Sequence, residues 1–118
     1  MVEPVRWVVR DEDLNELTPE RARELVVSCF FEAQRETFAR AADALGREQE
    51  SERLRQTVVS SVRTAFQRVG GNFDRPSKAT ITAAVEILAR KATAWGTPAE
   101  VIEHHRQEIA RVLAALPD

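Results

Sequence analysis

Hydrophobic residues recur at steps of three and four along most of the chain, which is the spacing of one face of an α-helix. Residues 2–17 are the exception, because apolar and polar positions alternate there instead. The helical pattern predicts four helices, near residues 18–46, 48–69, 75–95 and 98–116. Helices of this length with short connections favour an all-α fold, an antiparallel four-helix bundle that occupies residues 18–118 as one domain.

Residues that commonly cap helices mark several of these boundaries. Thr18-Pro19 and Thr97-Pro98 each suit a helix start, because threonine accepts from exposed amides and proline tolerates the first helical position. Glu100 follows Thr97 at the spacing of a capping box. The glycines that suit helix ends are Gly46, Gly70, Gly71 and Gly96.

The N-terminal arm, residues 1–17, has a different pattern from the rest of the chain. Val5, Trp7 and Val9 alternate with more polar residues, a weak strand-like signal. A single strand is not stable alone, because its backbone donors and acceptors need partners. Three alternatives remain open for this segment: an ordered arm lying on the bundle, a strand pairing with another chain, or a loose terminus.

The first helix carries more apolar surface than one face of a bundle helix needs. From Leu25 to Phe31, six of the seven side chains are apolar and together they surround most of the helix. A helix that is apolar nearly all round is buried. We therefore expect a homodimer with Val27, Phe31 and Phe38 at the interface and Trp7 beneath the arm. The alternative is a monomer in which the arm covers the additional face.

Composition limits the broad class of protein. The chain has 118 residues, a formal net charge of −2 and one cysteine, Cys29. No apolar run approaches the roughly 20 residues that a membrane-spanning helix requires. The N-terminus lacks the basic-then-apolar pattern of a signal peptide. A single cysteine suits a reducing compartment, and we expect a cytoplasmic protein without membrane contact.

The residues most able to do chemistry do not form a recognisable set. His104 shares a helix face with Glu100 and Glu108, which is typical of a solvated polar face, and His105 flanks the apolar stripe as a partly buried residue. No sequence pattern predicts that either histidine lies near Cys29, and we expect Cys29 to be a buried apolar residue. We expect no catalytic residues, no metal site and no cofactor; a small enzyme or metal protein is the third hypothesis.

Charge is unevenly distributed along the chain. Residues 51–91 hold eight basic and three acidic residues, whereas residues 1–50 hold seven basic and twelve acidic ones. Such asymmetry can mark a surface that binds polyanions. The candidate surface comprises Arg53, Arg63, Arg68, Arg75 and Lys78.

Two functions follow from these patterns. The first is a small non-catalytic intracellular helical module that self-associates and mediates protein–protein interaction. The alternative is a nucleic-acid-binding regulator that uses the basic region 51–91 or a helix-turn-helix-like unit of the third and fourth helices. Acidic residues at the start of the fourth helix, such as Glu100 and Glu103, count against the second function because they repel phosphate.

Overall fold

The computed structural model describes residues 7–42 and 47–117, and for the helical residues 36–42 and 47–51 it describes the backbone alone. Four α-helices follow a short 3₁₀ helix at Asp11–Leu14. They are α1 (Pro19–Ala42), α2 (Arg47–Arg68), α3 (Lys78–Ala94) and α4 (Ala99–Ala115). The helices pack against each other and the described residues contain no strand, which confirms the all-α four-helix prediction. The antiparallel arrangement stays a prediction.

Several predicted helix boundaries are confirmed. The amide of Arg21 donates to Thr18 Oγ1 at 3.2 Å, so Thr18 caps α1 as predicted. Gly70 and Gly96 follow α2 and α3 with φ of 74° and 96°, in the left-handed region that favours glycine. The predicted end of the first helix at Gly46 lies outside the described residues.

The predicted start of the fourth helix is wrong in detail. Pro98, not Thr97, occupies the N-cap position of α4, and no side chain caps this helix. Thr97 Oγ1 instead accepts a hydrogen bond from Gln34 Nε2 of α1, at 3.3 Å. The threonine therefore joins two elements of the bundle rather than closing the first turn of its own helix.

The core explains why the first helix is apolar nearly all round. α1 packs against α2, α3 and α4, so more of its circumference is covered than in a helix with two neighbours. Its buried side chains meet the buried residues of the other three helices in one cluster. The largest fully buried side chains of the described residues are Phe66, Ile81, Leu116, Gln34, Val58, Val62 and Val112.

The described part of the N-terminal arm, residues 7–17, lies on the bundle. Trp7, Val9 and Leu17 are buried members of the core cluster, although residues 7–17 contain no strand and only one turn of 3₁₀ helix. Of the three alternatives for this segment, the ordered arm is the one observed. None of the described helices is both long enough and apolar enough to cross a membrane.

Candidate functional site

Trp7 is held to the bundle by two elements. Its backbone N–H donates to His105 Nε2 of α4 at 3.2 Å, and its carbonyl lies 3.0 Å from His104 Nε2. Its indole N–H donates to Ser28 Oγ of α1 at 3.3 Å. The predicted interface residue Trp7 is thus buried within its own chain, over α1 and against α4.

The two adjacent histidines play opposite parts in this contact. A backbone N–H can only donate, so His105 Nε2 is unprotonated and its ring is neutral while the bond exists. A carbonyl can only accept, so His104 Nε2 carries the hydrogen that is donated to Trp7. Of the face expected to be solvated, Glu100 is exposed, His104 is half-buried and Glu108 is only 7% exposed, so the expectation is wrong for Glu108. His105, which was expected to be partly buried, is 7% exposed. Trp7 of the arm contacts both histidines.

The other predicted interface residues lie along α1. Val27 and Phe31 are partly buried and pack against the core cluster. Phe38 lies in the same helix one heptad after Phe31, and its side chain falls outside the described residues. Steps of four and seven place the three positions on one side of the helix.

α1 continues beyond the turn that joins α3 and α4. Residues of α1 from Val26 to Ala33 line a shared apolar cavity with α3 and α4. The next residue, Gln34, reaches Thr97 in the α3–α4 turn. Residues 35–42, hereafter the distal end of α1, extend about 12 Å further at 1.5 Å per residue. α3 and α4 therefore lie beside the earlier part of α1, and the distal end projects past them.

Cys29 and His105 line the same apolar cavity, a proximity that no sequence pattern predicts. Burial raises the pKa of the Cys29 thiol, and the nearby carboxylates of Glu108 and Glu32 raise it further. The thiol therefore stays protonated at neutral pH and is not an activated nucleophile. Among the residues that the structure describes, no three His, Cys, Asp or Glu side chains are grouped as metal ligands would be.

The five basic residues of the candidate polyanion surface have different surroundings. The Arg63 guanidinium lies 4.6 Å from the centre of the Phe73 ring and 3.7 Å from Asp74 Oδ2. Lys78 Nζ donates to the Leu116 carbonyl at 3.2 Å. The side chains of the remaining three are exposed: Arg53, Arg68 and Arg75.

Arg68 lines a cleft between α2 and α3 that has a volume of about 310 Å³. Arg90 and Lys91 of α3 line the same cleft, and neither was among the candidate residues from the sequence. The other lining residues are Ser61, Thr64, Ala65 and Ile87. The spacing of Arg90 and Lys91 from Ile87 predicts that the three residues share one helix face. It does not predict that this face lies beside α2, because that depends on how the helices pack.

The basic residues of α4 make ion pairs within the chain. Arg106 contacts Glu86 of α3 at 2.9 Å. Arg111 contacts Asp11 of the arm at 3.0 Å and Glu108 at 3.2 Å. A recognition helix needs cations directed at phosphates, and these two arginines are directed at carboxylates of their own chain.

Comparisons with known proteins give no family for this chain. No protein-family model matches it, and no curated protein and no solved structure is similar enough to count as a match. A function therefore has to be inferred from the residues and contacts described above.

Proposed function

We propose that the protein is a small non-catalytic module that self-associates through the distal end of α1 and mediates protein–protein interaction there. The observation that carries the proposal is the position of the α3–α4 turn. Because Thr97 meets Gln34, the eight residues that follow Gln34 in α1 lie past the ends of α3 and α4. An amphipathic helix that projects in this way gains by packing against a second copy.

The sequence of the projecting segment fits an interface. Phe38 stands at its centre and Ala39, Ala41 and Ala42 are small residues that allow close helix approach. Phe31, at the root of the segment, is only partly buried. Aromatic anchors of this kind carry much of the free energy of binding at protein interfaces.

Helix lengths give the same picture. α1 and α2 contain 24 and 22 residues, whereas α3 and α4 contain 17 each. α2 begins at Arg47, five residues after the end of α1, so it starts beside the distal end. At the level of the distal end, each copy contributes α1 and α2 but not α3 and α4. Two copies that packed their distal ends about a two-fold axis would place four helices together at that level.

The location of the protein is part of the proposal. We infer a cytoplasmic protein, because its one cysteine is a buried free thiol that takes part in no disulfide. Reduced cysteines of this type are typical of the cytosol.

Light scattering on the full chain tests the self-association. The mass of the parent protein is expected to rise from the 13.3 kDa of one chain toward twice that value as its concentration increases from about one to about one hundred micromolar. Phe38→Glu is expected to give the mass of one chain, because two buried carboxylates would face each other across the axis. Val8→Glu is the matched control, since Val8 is 57% exposed on the arm and far along the chain from the distal end.

The outcomes separate the alternatives. A parent mass of 13.3 kDa at every concentration up to the millimolar range overturns the proposal. A dimer that Val8→Glu dissociates and Phe38→Glu leaves intact places the interface on the arm and also overturns it. Circular dichroism of both variants shows whether a change in mass comes from dissociation or from unfolding.

A further inference from the structure

The cleft between α2 and α3 is lined by a regular set of positions. Ser61, Thr64, Ala65 and Arg68 are spaced by three and four along α2, and Ile87, Arg90 and Lys91 are spaced likewise along α3. Each set therefore forms one face of its helix. We call this site, with its volume of about 310 Å³, the cationic cleft.

The cationic cleft concentrates positive charge that the fold does not neutralise. Its lining contains Arg68, Arg90 and Lys91, and no carboxylate among the residues that the structure describes. Within that part of the chain neither arginine makes an ion pair. Lys91 Nζ lies 5.3 Å from the centre of the Trp95 ring, a cation–π contact that positions the ammonium without neutralising it.

Several arginines elsewhere in the chain do make ion pairs. Arg21 pairs with Asp13 and Glu24, Arg106 with Glu86, and Arg111 with Asp11. The chain has more acidic than basic residues, so the lack of a carboxylate in the cleft lining is not a result of a shortage of acidic residues. Three cations that converge without one repel each other, and this repulsion is relieved when an anion binds between them.

We propose that the cationic cleft binds the phosphate group of a small phosphate monoester. Two guanidinium groups present forked N–H donors that match phosphate oxygens, and Lys91 adds a third positive charge. Ser61 and Thr64 add hydroxyl donors at the same site. Ala65 and Ile87 supply apolar contact for the organic group that the phosphate carries, which a volume of about 310 Å³ leaves room for.

A small ligand fits these observations better than a nucleic acid. A nucleic-acid surface needs cations spread along a track that follows several phosphates. The nearby basic residues are directed elsewhere, because Arg63 stacks on Phe73 and Lys78 donates to the Leu116 carbonyl. Arg68, Arg90 and Lys91 line one cleft instead of following a track. The proposal does not depend on self-association, since no residue of the distal end of α1 lines the cleft.

Isothermal titration calorimetry of the full chain at low ionic strength tests the proposal. The probes are adenosine 5′-monophosphate, its uncharged counterpart adenosine, and a 20-mer DNA duplex. Adenosine 5′-monophosphate is expected to bind and adenosine is not. Arg68→Gln and Arg90→Gln are each expected to weaken binding by about tenfold or more, since hydrogen bonds between charged groups are the stronger ones.

Two further variants make the test specific. Arg55→Gln removes an exposed arginine of α2 that does not line the cleft, and it is expected to leave the affinity unchanged. Arg90→Lys keeps the charge and removes the fork, so its affinity is expected to fall between those of the parent and Arg90→Gln. The circular dichroism spectra of the four variants are expected to match that of the parent, because the substituted side chains are exposed.

Three results would overturn the proposal. The first is no detectable binding of adenosine 5′-monophosphate at low salt. The second is equal weakening by Arg55→Gln and Arg90→Gln, which would mean that total charge and not the cleft governs binding. The third is binding of the DNA duplex alone, which would assign the cations to a polyanion surface.

Discussion

The N-terminal arm and the distal end of α1 combine secondary structure and burial in opposite ways. The described part of the arm, residues 7–17, has little regular backbone structure, yet Trp7, Val9 and Leu17 are buried in the core. The distal end is regular α-helix, yet it projects past the turn that ends α3 and α4. The arm is therefore held by tertiary contacts, whereas the distal end keeps a regular helical backbone beyond the α3–α4 turn. Most helical stability in proteins comes from packing, so under the proposed self-association a second chain is expected to stabilise the distal end.

The largest effect is expected from removing the tryptophan of the arm. Trp7→Ala is expected to lower the free energy of unfolding by about 3–5 kcal/mol, because a buried aromatic and its hydrogen bond to Ser28 are lost together. Urea denaturation followed by circular dichroism measures it. Val8→Ala, at the exposed neighbouring position, is the control and is expected to change stability by less than about 0.5 kcal/mol. Similar small effects for both variants would mean that the arm does not stabilise the fold.

A smaller effect is expected from the histidine that accepts from the arm. His105→Leu leaves the Trp7 N–H buried without its partner, which costs about 1–3 kcal/mol. His105→Gln retains an acceptor and is expected to recover part of that loss. Urea denaturation of the parent and the two variants measures these differences in the free energy of unfolding. Equal stability of His105→Leu and the parent would contradict the role given to this bond.

Cys29, which lines the same cavity as His105, is expected to make the free energy of unfolding depend on pH. Its pKa is raised in the folded protein, so above the unfolded thiol pKa of about 8.5 the unfolded state loses a proton that the folded state retains. Stability is then lost as pH rises, by up to about 1.4 kcal/mol per pH unit from this group. Denaturation at pH 7.5 and pH 9.5 is expected to show a larger loss in the parent than in Cys29→Ala. The same pH dependence in both proteins would contradict the burial of the thiol.

The smallest effect is expected at the distal end of α1. Ala39→Gly is expected to cost about 1 kcal/mol, the intrinsic helix propensity difference, because this segment depends on its own helical backbone. Arg10→Gly in the arm, where the backbone is extended, serves as the contrast and is expected to cost less. Denaturation at one fixed protein concentration compares them. A loss above about 2 kcal/mol for Ala39→Gly would show that the distal end is packed as tightly as the core.

Local sequence patterns predicted the elements of this fold well. The periodicity of apolar residues placed four helices, and Thr18, Gly70 and Gly96 marked ends that the structure confirms. These signals succeed because capping and positive φ are properties of a few neighbouring residues. The prediction that Thr97 caps α4 is wrong, because its hydroxyl accepts a hydrogen bond from Gln34, which lies 63 residues away in the sequence.

The candidate sites depended on contacts that no local pattern contains. His104 and His105 bind the backbone of a residue 97 and 98 positions earlier, and the pattern of α4 alone does not contain these contacts. Arg68, Arg90 and Lys91 meet because α2 and α3 turn particular faces toward one another. The basic region was visible in the sequence as a charge excess, but the residues that converge within it were set by helix packing.

Hydrogen–deuterium exchange of the full chain at two concentrations, one micromolar and one hundredfold higher, tests the central claim most directly. If the protein self-associates through the distal end of α1, the amides of residues 35–42 exchange more slowly at the higher concentration, while those of the arm are unchanged. Exchange at residues 35–42 that is identical at both concentrations would contradict the account, as would protection that appears in the arm instead.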